Sequence, residues 1–577
     1  MLAYKILKGW TMKHKGLVLL MCAVHMVCPT AYSDVVYVDH EADGANDGST
    51  WLDAFDSLQG ALDVASFGDQ IWMTTGVHRP TRQAERTYPT STTEDIRDAT
   101  FWIPRGVQLY GGFRGGEDTI DQRPESLSHT VLSGDIGVPN DDSDDSYRVV
   151  YYRSVHGGGY GASDTDQAVP AHLDGILITS ANADSAVGGG VYATSVAIGS
   201  AIYNPRINFS NCVFIGNSSA GNGGGAFISR WAGAMEDCEF RDNYSQSNGG
   251  GLYLNQIAGS RSIVSTVFSG NIAEDDGGGL CRRGDGVSSP GVHPLIVLNC
   301  KFQSNSAGQN GGGISYRSNV SGSIKFPLAV ANSEFIQNAA KSNGGGLYLW
   351  EGAALPGPGT IPGSEGEIQS STFGFNVANG MGGGVYAGIG PTSSSSADLL
   401  VGNSILWGNI AHEESQANSQ VDIYTSCIQG GGWSLPTHFG NITADPLFRD
   451  PDAGDYTLLN GSPALDSGWN GLLPPDLVDL DRDFDVTEFL PVDMRFRSRV
   501  LDAGVPDTGA GDGAVIDMGA YELCSADFNR DGKLNFFDIS ALISAFVNED
   551  ADADLNGDGT INFFDISAFQ TSFLNGC

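Results

Sequence analysis

The feature that most constrains this chain is a two-part signature repeated six times: Phe-x-x-Asn, then three glycines beginning nine residues after the Phe. The phenylalanines are Phe214, Phe240, Phe268, Phe302, Phe335 and Phe373, and the asparagines Asn217, Asn243, Asn271, Asn305, Asn338 and Asn376. Triplets begin at Gly223, Gly249, Gly277, Gly311, Gly344 and Gly382. The distance from one Phe to the next varies from 26 to 38 residues, whereas the internal offset is constant. A constant core with variable insertions marks a solenoid whose loops leave from one side.

Local alternation selects the kind of solenoid. Two residues before each Phe stands a small side chain (Cys212, Cys238, Thr266, Cys300, Ser333, Ser371), and the residue between is often polar or charged, which is a strand with Phe and the small residue facing inward. After the triplets come an apolar residue and commonly an aromatic one: Val191-Tyr192, Ala226-Phe227, Leu252-Tyr253, Leu347-Tyr348 and Val385-Tyr386, the first expected inward and the second outward. No 3.6-residue pattern supplies a crossover helix, and the frame of a leucine-rich repeat is missing. The expected fold is therefore all-β, a right-handed parallel β-helix whose coils stack about 4.8 Å apart. Phe stacks on Phe, Asn bonds the turn backbone and its equivalents in neighbouring coils, and glycine turns where a Cβ would not fit. These positions are a folding signal, and Cys212, Cys238 and Cys300 are expected as packed thiols. Cys281 takes the place of an outward aromatic, and neither it nor Cys427 has an evident role. The 79 glycines lack the every-third-residue rule of collagen and fit many tight turns.

Upstream, residues 54–66 have helical spacing and are expected to cap the open end, with irregular early coils after them. "NSILWGNIA" repeats the pattern with Leu406 and Asn409, so coils are expected to about residue 430 and an acidic, β-rich cap over 431–523. At the N-terminus, Lys13 and Lys15 precede a 12-residue apolar run and a small-residue cleavage site at Ala31 and Ser33, the grammar of a secretory signal peptide over 1–33. The run is short of the roughly 20 residues a membrane span needs, and no later stretch reaches that length, so no transmembrane span is expected in the mature chain. Cleavage removes four lysines, leaving 26 Lys and Arg against 68 Asp and Glu, a net charge of −42. Such a surface excludes nucleic acid as a partner and favours divalent cations.

From residue 524 the texture changes. "DFNRDGKLNFFD" and "DLNGDGTINFFD" are two 12-residue loops that place oxygen ligands as calcium requires: Asp527, Asn529, Asp531, Lys533 through its carbonyl, Asn535 and Asp538, and likewise Asp554, Asn556, Asp558, Thr560, Asn562 and Asp565. Two Ca2+ sites are expected, each followed by a helix with an apolar face: Ile539, Leu542 and Phe546, then Ile566, Phe569 and Phe573.

The segments "YVDHEADGANDGSTWLDAFDSLQGAL", "SILWGN", "DPLFRDPDAGDYTLLNGSPALDSG" and "IDMGAYE", with the coils between them, resemble secreted β-helix proteins of the choice-of-anchor Q type over nearly all of 34–523. The Phe-x-x-Asn and glycine pair also resembles polymorphic outer-membrane adhesins. The duplicated loop-helix tail, 524–577, is similar to a dockerin, and its ending "SAFQTSFLNGC" resembles the GC type. That resemblance implies a cohesin-like or cell-surface anchoring partner, and either a Cys524–Cys577 clasp or a Cys577 used in sorting. The chain departs from the dockerin pattern at Phe536-Phe537 and Phe563-Phe564, where the family commonly has a polar pair; either an apolar partner surface or packing between the copies would explain them.

Chemistry is less legible. Tyr192, Phe227, Tyr253, Tyr348 and Tyr386 form a stripe suited to stacking on sugar rings, unless the variable loops cover it; it is broken at Cys281 and Ser315. Arg230, Arg282, Arg283 and Arg317 accompany it, with Asp285 and Glu351 nearby in sequence. "DLDRDFD", 479–485, spaces carboxylates like a calcium loop but lacks its glycine, and "RGD" at 283–285 is read as a chance match. The expectation is a secreted or cell-surface scaffold for adhesion or polysaccharide binding, anchored by its calcium-dependent tail; the alternative is a polysaccharide lyase or glycoside hydrolase.

Overall fold

The computed structural model describes residues 34–575 apart from 84–94, 125–129, 154–168, 185, 199–200, 285–293, 319–327, 352–365, 390–398, 431–439, 477, 502–505, 512, 530–532 and 556–558. The expected signal peptide, Asp285, Asp531, Asn556, Asp558 and Cys577 lie outside the described residues.

Each coil is built from short strands that pair with their counterparts in the coils before and after. In one coil, Ile207–Ser210 belongs to sheet I, Val213–Ile215 to sheet II, Ser218–Ser219 to a narrow sheet IV, and Ala226–Trp231 to sheet III. Among the described residues these sheets hold 12, 11, 7 and 9 strands respectively. Every registered pair within them is parallel, as Val213↔Glu239, Phe214↔Phe240 and Ile215↔Arg241 illustrate, so the chain is a parallel β-helix. Helix α1, Leu58–Val64, capped by Ser57, places Leu58, Ala61 and Leu62 on the first coils and closes that end. The last strand of sheet II is Cys427–Ile428.

The signature now has a mechanical meaning. The six phenylalanine rings stack near-parallel with centroids 4.2–4.9 Å apart, all fully buried. Each Asn amide does three jobs: Asn305 Nδ2 donates to the Phe268 carbonyl (2.8 Å) and to Asn338 Oδ1 (2.9 Å), and its Oδ1 accepts from the Asn271 backbone (3.1 Å). Leu406 and Asn409 continue both columns, Asn376 Nδ2 donating to Asn409 Oδ1 at 2.9 Å. Within a triplet the glycines are not equivalent. Gly249 is left-handed (φ 67°), whereas a Cβ on Gly250 would lie 2.5 Å from the Ile272 carbonyl oxygen of the next coil. The first glycine turns the chain; the next two let coil backbones touch.

The segment expected as an acidic C-terminal cap begins on the last coil, where Ile442 bridges Cys427, and then runs along the flank. Its only paired strands among the described residues are Phe448–Asp450 and Asp455–Leu458. It packs Leu480, Leu490 and Val492 on Val264, Leu298 and Ala331, and packs Leu458, Leu465 and Met518 on Ile336 and Ile405. Arg482 reaches Glu236 (2.8 Å) and Asp237 (3.1 Å), and Asn403 holds both the N–H and the carbonyl of Trp469. Sequence alternation gave no hint of this path, because it is set by contacts between residues up to 246 positions apart.

Beyond it, helices α2, Phe536–Val547, and α3, Phe563–Asn575, enclose a small core of Leu542, Ala553, Leu555 and Phe569, with Ile539, Phe546 and Phe573 against it. Ile566, expected in that core, is 38% exposed. No helix among the described residues is long and apolar enough to cross a membrane.

Candidate functional site

The two loops before α2 and α3 are organised around their closing carboxylates. Asp538 is fully buried and spans its loop, accepting the Asn529 N–H at Oδ1 (3.2 Å) and the Asn535 N–H at Oδ2 (2.8 Å). Asp565 repeats this with the Leu555 and Asn562 N–H groups, at 3.0 and 2.7 Å. Asn535 caps α2, so one residue serves helix and loop together. The described donors Asp527, Asn529, Asn535, Asp538, Asp554, Thr560, Asn562, Asp565 and the Lys533 carbonyl are all oxygen, a set that fits a hard divalent cation. Asp527, 2% exposed, is paired with Arg497 from the flank segment, and Arg449 pairs with Asp552 (2.6 Å), so the module is tied to the flank at two points. Cys524 is disulfide-bonded, with its partner outside the described residues, while the other five described cysteines are free and buried. Burial pushes the Cys300 and Cys427 thiols up to about 12, which leaves them unreactive.

Phe536, Phe537, Phe563 and Phe564 are 67–73% exposed. Packing between the copies therefore does not account for them; Ile543, Val547 and Leu574, also exposed, line an apolar groove between α2 and α3 with Ile539, Phe546 and Phe573.

The outward aromatic stripe is present but covered. Tyr192, Phe227 and Tyr253 stack on one another at 5.3–5.4 Å, as do Tyr348 and Tyr386 at 5.2 Å. Phe227, Tyr253 and Tyr348 are only 5–8% exposed, and burial pushes the hydroxyls of Tyr253 and Tyr348 up to about 12. Arg148 lies over Tyr192 and Arg317 over Tyr348, the latter also paired with Asp276 at 2.9 Å. Rings buried in this way, Phe227, Tyr253 and Tyr348, offer no platform to a sugar, while Tyr192 and Tyr386 are half-buried. Arg282 faces into the solenoid, fully buried, in the column of Leu254 and Tyr316. Arg283 is exposed, Arg230 half-buried, and Glu351 ends the strand Leu347–Glu351. The stripe and its arginines do not converge on a reactive centre.

A polar surface that alternation did not single out lies on the outer face of sheet I. Arg206, Asn208, Arg261, Ser262 and Ile296 line a cleft of about 340 Å³, with Val478 of the flank segment as its opposite wall. No carboxylate is among the described lining residues. Arg261 is held by the carbonyls of Trp231 (3.2 Å) and Ser260 (2.7 Å), and burial, then the nearby charge of Arg206, lowers its pKa. Beside the cleft, Asp174, Ser210 and Glu236 occupy one column of successive coils. Asp174 binds Arg123 and Asn211, each at 3.0 Å, and His172 Nε2 meets the Ser210 hydroxyl at 3.1 Å. Burial lowers the His172 pKa, keeping the imidazole neutral near pH 7.

The flank segment gathers the remaining acids. Asp479, Asp481 and Asp483, singled out by their spacing, bring carboxylate oxygens within 4.8 Å of one another, and Asp481 also converges with Asp476 and Glu488. The "IDMGAYE" motif is a clasp: Asp517 accepts the Asp466 N–H (2.8 Å) and the Leu523 N–H (2.7 Å), while Glu522 pairs with buried Arg499 at 3.3 Å. Burial pushes Asp517 up to about 7 and Glu522 well above the usual carboxylate range.

No protein-family model and no curated protein matches the chain. Among solved structures it is similar to pectate lyase Pel9A, at 12% identity over 85% of this chain and 96% of that one, TM-score 0.41. A rhamnogalacturonan lyase shares 11% identity over 72% and 91% of the two chains, TM-score 0.32. The tailspike gp49 of Acinetobacter baumannii bacteriophage Fri1, a capsular polysaccharide depolymerase, shares 11% over 70% and 64%, TM-score 0.27. The β-helix itself is read from the sheet ladders of this chain.

Proposed function

We propose that this protein is a secreted or surface-displayed β-helix that binds acidic polysaccharide along the outer face of sheet I and is anchored or sorted by its dockerin-like tail. The observation that carries this reading is the Arg206–Arg261 cleft, a cationic site without a described carboxylate in its lining, on a chain whose net charge is −38. A repeating coil rise gives such a face a periodic register against a repeating polymer. In the tail, two Ca2+ ions, one per loop, hold the helices, and the exposed Phe536-Phe537 and Phe563-Phe564 pairs meet an apolar cohesin-like or cell-surface partner. The Cys524 disulfide is expected to close on Cys577.

A second reading, polysaccharide lyase or glycoside hydrolase, is favoured by one observation. Asp174 and Glu236 lie in one column two coils apart, roughly 10 Å by coil rise, with neutral His172 beside them. The test is to incubate the full chain with polygalacturonate while following retention, reducing ends and unsaturated-uronate absorbance. Retention that weakens with salt, without products, supports the binding scaffold. Product release supports the enzyme and sends mutagenesis to Asp174 and Glu236. No retention and no product would discard both.

A further inference from the structure

We propose that the cleft between Trp469 and Phe489 in the flank segment is a second saccharide site, specific for uncharged sugars and separate from the sheet I cleft. It has a volume of about 790 Å³, within the range of small-molecule sites. Its two walls carry large aromatic side chains turned to solvent, Trp469 at 42% exposure and Phe489 at 62%. That is the reverse of the covered stripe on the solenoid, where each ring face is taken by its neighbour.

Both residues are anchored through their backbones. Trp469 is bound through its N–H and its carbonyl to the single side chain of Asn403, at 2.8 and 3.0 Å, which fastens it to a turn of the solenoid. The next residue, Asn470, is fixed at both ends of its amide by Ala514 and Ile516. Phe489 pairs with Pro475 in an antiparallel bridge and is followed by Leu490, 1% exposed. Aromatic groups carried on a backbone already fixed lose less entropy when a ligand stacks on them.

Glu488 supplies the polar contact. It lines the cleft, and its carboxylate lies beside those of Asp476 and Asp481. A carboxylate at the cleft edge is an acceptor, and a sugar hydroxyl is a donor of the right kind. Aromatic faces take the C–H face of a pyranose while a carboxylate orients its hydroxyls. Charge sets the class of sugar. Asp476 and Asp481 converge on Glu488, and burial, then the charges of Asp483, Asp481, Asp485 and Asp476, raise its pKa; the same carboxylates repel uronates, sulfates and phosphates.

The test is affinity electrophoresis of the full chain in gels cast with mixed-linkage β-glucan, galactomannan or polygalacturonate. The wild-type chain should be retarded by at least one uncharged polymer. Trp469→Ala should weaken that retardation about tenfold and Phe489→Ala by a smaller factor, with melting midpoints unchanged. Glu488→Gln should weaken it as well, and all three variants should be retarded by polygalacturonate as the wild type is. Variants that bind an uncharged polymer as tightly as wild type overturn the assignment, as does a wild type that no uncharged polymer retards. Polygalacturonate retention reports on the sheet I cleft alone, so the failure of one site is distinguishable from the failure of the other.

Discussion

In the solenoid, Asn305 finds its partners in the coils directly before and after it; in the flank segment, Asp517 finds Asp466 and Leu523, which lie 51 and 6 residues away in no repeating pattern. Both are fully or almost fully buried polar groups, and both are satisfied. The difference is that the solenoid solves the problem once and copies the solution, whereas the flank solves it separately for each residue. A copied solution tolerates loops of any length, because the ladder needs only a constant offset within the coil. A singular one depends on the whole segment being in place.

The comparison can be broken first where the ladder is densest. Phe302→Ala removes a ring stacked on both sides, at 4.7 and 4.8 Å, and should cost about 3–5 kcal/mol, read as a lowered denaturant midpoint. Phe484→Ala in the flank, at a residue 93% exposed, should change stability by less than about 0.5 kcal/mol. Equal effects would mean that the stacked column carries no special share of stability. Next, Asn305→Ala leaves the Phe268 carbonyl and the Asn271 N–H without their partners inside the stack and should cost about 2–3 kcal/mol.

The flank should differ from the solenoid in its pH dependence. Asp517 is raised to about 7 in the folded chain, so the fold holds a proton that the unfolded chain releases near pH 4. Its contribution is therefore fully present below about pH 4 and is lost as pH rises through about 7. Flank opening, followed by proteolysis or hydrogen exchange, should increase across that window. Asp517→Asn should flatten the profile. A smaller effect than in the coils is expected at the tether to the tail: Arg449→Ala breaks a half-buried pair and should cost less than about 1 kcal/mol.

The coils were legible because Phe214, Asn217 and Gly223 each repeat a local requirement: ring on ring, amide on amide, backbone on backbone. The two helices of the tail, with Asp538 and Asp565 folded back on the loops before them, were legible for a related reason, since loop and helix start lie within 12 consecutive residues. The aromatic stripe was placed on the correct face and its covering was foreseen only as cover by the variable loops, whereas stacked neighbours and Arg148 and Arg317 lie on its rings, contacts that no local pattern encodes. The sheet I cleft escaped notice because its walls, Arg206, Arg261 and Val478, are far apart in the chain. Trp469 offered the faintest signal, a lone tryptophan in a Gly-rich turn.

The amino-acid sequence by itself determined the β-helix, its inward columns and the oxygen-lined loops of the tail, since each follows from interactions among neighbours in one coil or one loop. Only the tertiary structure decided that the described residues between 446 and 523 pack along the flank, that Phe227, Tyr253 and Tyr348 are buried, and that Trp469 and Phe489 line one open cleft. Those outcomes rest on burial and charge pairing between segments distant along the chain, which no local periodicity encodes.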